Sequence, residues 1–374
     1  MKRGLFVWVT MLVLALLVLA ACGGRDGPPE ADIADYPQTS DPIENQNGGD
    51  MGTPIEPNFP RDLAYYDTHG QMSVDFVAHL SNNLYNRVPF SYREYEAARW
   101  IADTLIDMGH PATNVYIQTF DAEFGRNAVW GMNINALDGP TTVQRGYSQN
   151  VVLTIPGTGD GIIVVGAHYD TLYLPGASDN ASGTALLLES AYRMLGGGNY
   201  HTLVYVFFGA EEIGLIGAYY FLENMPRHSP DDIVLMFNVD VILEGPYLFF
   251  STGYSRFGEW NARLNDTSRR VMEIAGEIND DFDRDLRHIR DAHLSLMSDH
   301  IPFTDAGHTV VLLASTAAPR GNMQFNFPIL HTPRDSFEYL YANYPDKMRE
   351  NMRYAAIFLA RVLRENFNQQ ESCK

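Results

Sequence analysis

The stretch TLVYVFFGAEE at residues 202–212 is an almost unbroken apolar run that ends in two acidic residues. Runs rich in β-branched and aromatic residues are typical of strands that are covered on both faces. The stretches GIIVVGAHYD (161–170) and DIVLMFNVD (232–240) share this pattern, and each of them also ends in an acidic residue. The three stretches therefore predict strands of a buried sheet with charged groups where each strand ends.

Helical patterns alternate with predicted strands along most of the chain. The further strand candidates are residues 114–120, 131–137, 150–157 and 246–253, and the helical patterns are residues 91–110, 183–195, 215–225, 261–278 and 347–366. Strands that alternate with helices build largely parallel sheets with helices on both faces, so the pattern predicts an α/β fold. We expect one three-layer α/β/α sandwich around a mostly parallel mixed sheet.

The N-terminus has the layout of an export signal. It reads MKRGLFVWVTMLVLALLVLAAC, with two basic residues, an uncharged run from Leu5 and small residues before Cys22. LAAC at residues 19–22 resembles the lipobox of bacterial lipoproteins, in which Cys22 becomes the lipidated first residue. An uncleaved membrane-spanning helix is the alternative. Residues 5–21 are just long enough for one, at the short edge of the ~17–25 residues that a span requires. We predict a lipoprotein signal peptide at residues 1–21 and a folded domain anchored to a bacterial membrane, outside the cytoplasm.

The segment after the signal is poor in apolar residues. Residues 23–60 contain seven prolines, six glycines and eight acidic residues. Such a composition cannot bury enough apolar surface to offset the entropy lost on ordering. We therefore expect residues 22–60 to be a disordered, acidic, Pro/Gly-rich tether, and residues 61–374 to form the folded domain.

The charge of the chain restricts its partners. It has 46 acidic against 26 basic residues, which gives a formal net charge of −20. Nucleic acids and anionic lipid surfaces are bound through basic patches, so this balance disfavours both. We expect contact with a membrane only through the N-terminal lipid anchor.

Acidic and histidine residues stand where several of the apolar runs end. They are His168, Asp170, Asp179, Glu211, Glu212, Asp240 and His331. Each alone has an ordinary explanation, since a turn aspartate such as Asp179 can simply cap the helix that follows it. Together they would lie in the crevice at the carboxyl ends of the strands, where open α/β sheets bind ligands. Carboxylates crowded there require a cation, and imidazoles with carboxylates suit zinc, with Mn²⁺ or Co²⁺ as possible substitutes.

The number of these residues favours two metal ions rather than one. Two cations that share a carboxylate form the site of many hydrolytic enzymes. Two halves, each with a histidine and a carboxylate, need one bridging group, and the loop residue Asp179 is the natural candidate. Where a strand gives way to a turn, the adjacent Glu211 and Glu212 can converge. One of them can then bind a metal while the other takes a proton from metal-bound water.

The same residues stand in motifs that resemble a known family. In chain order, HYD, GASDNASGTALLLE, FFGAEEIGLIGA, NVD and HTPRDS resemble the co-catalytic di-zinc exopeptidases. That family contains secreted bacterial leucyl aminopeptidases, certain carboxypeptidases and the glutaminyl cyclases. The similarity runs from about Ser91 to the C-terminal helix. It implies a zinc-exopeptidase fold, two Zn²⁺ ions and peptide substrates with a free N-terminus.

The resemblance also implies a role for each matching position. The metal ligands are His168 and Asp240 for one zinc ion, Glu212 and His331 for the other, and Asp179 as the bridge between them. Glu211 matches the general base, and Asp170 matches the acid that orients the His168 imidazole. A cis peptide bond between Asp179 and Asn180 is implied as well.

One further motif adds two candidates. SDHIPF at residues 298–303 resembles a family segment that lines the substrate cleft, so Asp299 and His300 are expected at or near the site. The other histidines of this region, His293 and His308, are expected to be structural or surface residues.

The implied reaction is hydrolysis of a peptide at its N-terminal residue. A hydroxide that bridges the metals would attack the carbonyl, and Glu211 would pass its proton to the leaving amine. A glutaminyl-peptide cyclotransferase, which uses a single zinc ion, is the nearest alternative on this scaffold. A carboxypeptidase or dipeptidase would keep the same ligands, whereas a non-catalytic binding protein usually lacks some of them. The sequence leaves the side-chain preference, the oligomeric state and the particular membrane open.

Overall fold

The computed structural model of the chain describes residues 64–124, 144–256, 258–259, 261–318 and 326–368. The predicted signal peptide, the tether, Cys22 and the predicted strand at residues 131–137 lie outside these ranges. Among the helices of the described residues, none is both long enough and apolar enough to cross a membrane.

The described strands form one mixed sheet of eight. They are β1 (Val115–Phe124), β2 (Gln144–Ile155), β3 (Ile162–His168), β4 (Thr202–Phe208), β5 (Ile233–Val239), β6 (Tyr247–Gly253), β7 (Arg287–His288) and β8 (Val310–Thr316). Their order across the sheet is β1-β2-β4-β3-β5-β8-β6-β7. The central strands β4, β3, β5 and β8 are parallel, and the pairs β1–β2, β2–β4 and β6–β8 are antiparallel. The predicted mixed, mostly parallel sheet is confirmed.

Helices follow or separate most of these strands. They are α1 (Ala64–Asp67), α2 (Gln71–Asn82), α3 (Tyr92–Asp107), α4 (Ser182–Arg193), α5 (Ile216–Glu223), α6 (Asp266–Phe282), α7 (Ile301–Asp305), α8 (Phe337–Asn343) and α9 (Pro345–Leu363). Helix α3 begins where the Ser91 side chain accepts the N–H of Glu94 at 3.1 Å, which is a standard N-cap.

Two apolar layers cover the sheet, because successive side chains of a strand point to opposite faces. In β4, Tyr205 and Phe207 pack in the larger layer, which contains residues of α2, α3, α4, α6 and α9. Val206 and Phe208 pack in the opposite layer, under α5 and α7. The sheet therefore lies between two helical layers, as the three-layer prediction requires.

Two elements differ from the sequence predictions. The strand β8 is central and fully buried, but the strand candidates above do not include it. Helix α6 begins at Asp266, five residues after the start of the predicted segment 261–278. The cause is local: Asn265 caps the helix by accepting the N–H of Ser268 at 2.9 Å, and Arg263 instead pairs with Tyr254 in a short bridge.

The parallel strands place their carboxyl ends at one edge of the sheet. β3 ends at His168, which is in register with Phe208, the last residue of β4. Glu211 follows β4 by three positions, and Asp240 follows β5 directly. The fold therefore brings residues that are far apart in sequence to one crevice, where α/β folds bind ligands.

Candidate metal centre

The first of two side-chain clusters lies around His168, the last residue of β3. Its Nε2 atom is 3.2 Å from Oδ1 of Asp179 and 3.3 Å from Oδ1 of Asp240. All three residues are buried, and one ligand atom of each lies within 4.8 Å of the others. A single imidazole N–H cannot point at two carboxylates at once. The three groups therefore have the arrangement of ligands around a shared cation.

The second cluster uses the other oxygen of Asp179. Nε2 of His331 is 3.0 Å from Oδ2 of Asp179 and 3.3 Å from Oε2 of Glu212. These three groups also offer ligand atoms within 4.8 Å of one another. His331 and Glu212 are only partly buried, so this cluster is the more open of the two. Asp179 thus faces both clusters, with one oxygen toward each.

The loop that carries Asp179 has a tightly constrained path. Gly176 precedes the kinked segment Ala177–Ala181, in which Asp179 and Asn180 have non-helical backbone angles, and has a φ of 59°. A Cβ atom at this glycine would lie 2.5 Å from the carbonyl oxygen of Asp179, so the path requires glycine. The peptide bond between Asp179 and Asn180 is cis, as the resemblance implies. The side chain of Asn180 donates to the carbonyl of Val239 at 2.9 Å, which joins the loop to the end of β5.

Asp170 holds the turn that presents the adjacent glutamates. Its Oδ1 accepts the N–H of Glu211 and its Oδ2 accepts that of Glu212, both at 3.1 Å. Nδ1 of His168 lies 3.2 Å from the carbonyl oxygen of Asp170 and 3.6 Å from its Oδ1. Glu211 belongs to neither cluster, but its Oε2 is 4.0 Å from Nε2 of His168. The two glutamates therefore reach the same site in different positions.

Burial and mutual charge perturb the ionisation of the site. Burial by itself lowers the pKa of His168, but Glu211 and Asp240 raise it well above its ordinary value. Burial raises the pKa of Asp179, but hydrogen bonds from the two imidazoles outweigh burial and lower it. Burial also raises the pKa of Glu211 well above its ordinary range. Positive imidazoles and negative carboxylates thus stabilise each other here.

The donor set fits zinc. Zinc binds imidazole nitrogen and carboxylate oxygen at about 2.0–2.2 Å in a tetrahedron, which separates ligand atoms by about 3.3 Å. The four N–O separations within the clusters are 3.0, 3.2, 3.3 and 3.3 Å. Oδ1 of Asp240 is buried, and no described residue gives it a hydrogen bond. An oxygen buried in this way is destabilising unless a cation or donor meets it.

The two lesser candidates, Asp299 and His300, directly precede helix α7. Both side chains are fully buried, so neither exposes surface to a cleft. Nε2 of His300 lies 2.8 Å from the carbonyl oxygen of His293. Neither oxygen of Asp299 has a hydrogen-bond partner among the described residues, and its charge interacts with those of His168 and Asp240. Asp299 is thus an additional buried acid next to the first cluster.

The sequence patterns do not single out four buried charged residues around the site: Arg87, Glu94, Glu244 and Asp335. The carboxylate of Glu94 accepts the N–H of Ala210 at 3.1 Å, immediately before Glu211. The sequence does indicate that Glu94 stands at the start of a helix, because Ser91 and Glu94 form the S-x-x-E capping pattern. Its second contact, to the turn after β4, has no local signal.

Two of these acids support the loops that carry Asp179 and His331. Asp335 accepts the backbone N–H groups of Ser178 and Asp179, and it stands in the HTPRDS motif that also contains His331. Glu244 accepts the N–H of Ile329 at 3.2 Å, two positions before His331. Burial, followed by the charge of Asp335, raises the pKa of Glu244 to about 8. The sequence around Glu244 does not indicate this role.

Comparison with known proteins agrees with the site. Residues 150–356 match the family model "Peptidase family M28", and this range contains both clusters. A probable leucine aminopeptidase of Trichophyton verrucosum is 25% identical over 83% of this chain and 79% of its own length. A probable lipoprotein aminopeptidase of Mycobacterium tuberculosis, LpqL, is 30% identical over 41% of this chain and 34% of its own length.

Solved structures share the fold. A zinc aminopeptidase from Bacillus subtilis, BSAP, aligns with a TM-score of 0.60 at 17% identity, over 82% of this chain and 97% of its own. A glutaminyl cyclase from Bacteroides thetaiotaomicron aligns with a TM-score of 0.57 at 16% identity, over 79% of this chain and 98% of its own. Because the family match covers more than half of the residues and contains both clusters, this chain belongs to peptidase family M28 and is a hydrolase of peptide bonds.

Proposed function

We propose that this chain is a zinc aminopeptidase, which removes the N-terminal residue from peptides. The observation that carries the proposal is the pair of clusters that share Asp179 at the carboxyl ends of the parallel strands. The two relatives described above are named aminopeptidases, and one structural neighbour is a zinc aminopeptidase. These names support both the metal and the reaction.

Two zinc ions would be held, one by each cluster. The ligands of the first ion would be His168 and Asp240, those of the second Glu212 and His331, and Asp179 would bind both. Bound there, zinc acts as a Lewis acid that polarises a peptide carbonyl and lowers the pKa of water.

Glu211 is the residue best placed to move protons. Its Oε2 lies 4.0 Å from Nε2 of His168, but Glu211 is part of neither cluster, so it remains available as a base. The side chain keeps 12% exposure, which allows water and substrate to approach it. We infer that a carboxylate oxygen of Glu211 accepts the proton of the attacking water and then donates it to the leaving amine. Asp170 keeps Glu211 in place through its backbone N–H.

The charge of the site favours a free α-amine in the substrate. Six carboxylates face the site or lie next to it: Asp170, Asp179, Glu211, Glu212, Asp240 and Asp299. Two divalent cations carry four positive charges, fewer than the number of these carboxyl groups. An amine or ammonium group complements the remaining acids as a hydrogen-bond donor, whereas a C-terminal carboxylate is repelled by them. We therefore infer cleavage at the N-terminus.

Substitution of the proposed base separates metal binding from catalysis. Glu211→Gln is expected to retain about two zinc ions per chain and to lose turnover of aminoacyl-p-nitroanilides. Glu223→Gln at the end of α5 is the matched control and is expected to keep both. Zinc is measured by elemental analysis after dialysis. An active Glu211→Gln protein would show that another group is the base.

The class of peptidase is tested with blocked peptides. Activity that disappears when the N-terminus is acetylated, and persists when the C-terminus is amidated, supports an aminopeptidase. The reverse pattern indicates a carboxypeptidase. Release of ammonia from N-terminal glutamine, together with about one zinc ion per chain, indicates a cyclase. A protein without zinc and without turnover indicates a binding protein.

We also propose that the chain is exported and anchored through a lipid on Cys22. The support is the lipobox-like sequence LAAC, and a relative is named a lipoprotein aminopeptidase. Labelled palmitate supplied to bacteria that express the chain should enter the protein. Cys22→Ser should abolish the label, whereas Cys373→Ser, at the other cysteine of the sequence, should retain it. Label in the Cys22→Ser protein would contradict the anchor.

The proposed division into a tether and a domain can be tested on the whole chain. Limited proteolysis in the presence of zinc should cut within residues 22–60 and leave a fragment close to residues 61–374, since disordered acidic segments are accessible to proteases. Early cleavage within residues 61–374 would contradict this boundary.

A further inference from the structure

Arg87 occupies an unusual position for an arginine. Among the arginine and lysine side chains that the structure describes, it is the one with no solvent exposure. It lies between α2 and α3, and it forms no ion pair with any carboxylate of the described residues. Burying a guanidinium without such a pair has a high cost in free energy, so its contacts must compensate for lost water.

The contacts of Arg87 are backbone carbonyls. Its guanidinium donates to the carbonyl oxygens of Leu80 (2.7 Å), Leu84 (3.1 Å), Tyr169 (2.5 Å), Pro175 (3.2 Å) and Gly176 (3.1 Å). Leu80 lies in the last turn of α2, and Leu84 follows that helix. The other three belong to the segment between β3 and the Asp179 loop.

Those three carbonyls lie at the two ends of one segment, residues 169–176. Tyr169 separates the ligand candidate His168 from Asp170, and Gly176 stands three positions before Asp179. The backbone of Arg87 reinforces the connection, because its N–H donates to Oγ1 of Thr171 at 3.1 Å. One side chain thus connects the part of the segment next to His168 with the part next to Asp179.

The charge of Arg87 also complements the site. Burial lowers its pKa to about 10, and the acids Asp335, Asp170, Asp179 and Glu212 oppose this shift. The side chain therefore remains a cation at neutral pH, below a cluster that carries an excess of carboxylates. It provides positive charge that does not depend on a bound metal.

We propose that Arg87 is a positioning residue for the metal centre, because it ties both ends of the segment 169–176 and so sets the separation between His168 and Asp179. The proposal rests on the metal centre of the proposed function. It assigns to Arg87 an effect on metal affinity that is separate from its effect on folding.

Arg87→Lys tests the proposal. Lysine keeps the charge, but its donors diverge from a single nitrogen and cannot reproduce the planar fork that reaches both Tyr169 and Gly176. The zinc dissociation constant of chelator-treated protein is expected to rise about 10–100-fold. The measurement is competition with a chromogenic chelator at a temperature where the metal-free protein is folded. Co²⁺ titration supplies a second readout, since its visible absorption depends on ligand geometry.

Arg193→Lys is the matched control. Arg193 is 8% exposed and pairs with Glu189 at 2.7 Å, but it lies at the opposite end of α4 from the Asp179 loop. Replacing its planar guanidinium should lower the unfolding temperature of the protein and leave zinc affinity and the Co²⁺ spectrum unchanged. The comparison separates a general loss of stability from an effect on the metal centre.

Thr171→Val tests the same connection without altering the guanidinium. Valine keeps the shape of threonine but removes the acceptor for the Arg87 N–H. A smaller rise in the zinc dissociation constant, in the same direction, is expected, and this variant decides the matter where Arg87→Lys does not fold. Wild-type zinc affinity in folded Arg87→Lys or Thr171→Val would overturn the proposal. A wild-type protein that binds no zinc would instead refute the proposed metal centre.

Discussion

The carboxylate of Asp335 accepts a hydrogen bond from the backbone N–H of Asp179 at 3.0 Å, across 156 positions of the chain. Its other oxygen accepts the N–H of Ser178. The segment that carries His331 is thereby tied to the loop that carries the shared carboxylate. Both partners of Asp335 are donors, so this position requires a side chain with two acceptor oxygens.

Asp335→Asn is therefore expected to weaken metal binding. An amide offers one acceptor and places its NH₂ group against the second N–H, so that one buried donor loses its partner. We expect zinc affinity to fall about 10–100-fold and the free energy of unfolding to fall by about 1–3 kcal/mol. Chelator competition and urea denaturation measure the two effects. Asp346→Asn, at a side chain with 97% exposure, should change neither.

Asp240→Ala should remove one metal ion and leave the other. Asp240 belongs to the first cluster only, and the second cluster of Asp179, Glu212 and His331 stays complete. Its Oδ1 lies 3.3 Å from Nε2 of His168, so the substitution acts on this cluster and leaves the second one in place. We expect zinc to fall from about two ions per chain to about one, with loss of peptidase activity. Asp231→Ala, at an exposed position two residues before β5, is the control. Two retained ions in Asp240→Ala would count against the ligand assignment.

Gly183→Ala should disturb the site by overpacking. Gly183 lies in the first turn of α4, and a Cβ atom there would lie 2.5 Å from Oδ1 of Asn180 and from the carbonyl oxygen of Val239. We expect a loss of stability of about 1–3 kcal/mol and weaker zinc binding, since Asn180 follows Asp179. Gly276→Ala within α6 meets no atom within 4 Å and should stabilise the protein by about 0.5–1 kcal/mol. Urea denaturation with zinc and with EDTA compares the pair, and equal effects would contradict the packing argument.

The strand ends could be predicted because the signal is local. β3, β4 and β5 are each seven residues long and almost entirely buried, so the charged residue after each run stands out in the sequence. His331 is different. It lies in a loop with a φ of 54°, and no strand ends beside it. The sequence pattern groups it with the strand ends because it follows the apolar pair Ile329 and Leu330, but that pair does not form a strand. The resemblance of HTPRDS is therefore the better signal for its role.

The remaining features depend on contacts between distant positions. β8 takes its central place by pairing with β5, where Val310 lies opposite Met236. Arg87 meets carbonyls 82 to 89 positions away in the segment 169–176. Spacing along a single sequence does not indicate which distant strand or carbonyl a residue will meet. For this reason the candidate ligands and Asp170 could be predicted, whereas the supporting residues Arg87, Glu94, Glu244 and Asp335 could not.

His110 should make the stability of the metal-free protein depend on pH. Burial lowers its pKa to about 4 from an ordinary value of 6.5, and its Nε2 lies 3.1 Å from the carbonyl oxygen of Ala191. Between these pH values the unfolded chain binds a proton that the folded protein excludes, so stability is lost as the pH falls, by about 3 kcal/mol at pH 4. In His110→Gln the unfolding free energy should vary less steeply with pH, by a slope equivalent to at most one bound proton. Urea denaturation in EDTA at pH 4–7 measures this slope. Parallel curves for the two proteins would mean that His110 is protonated equally in both states.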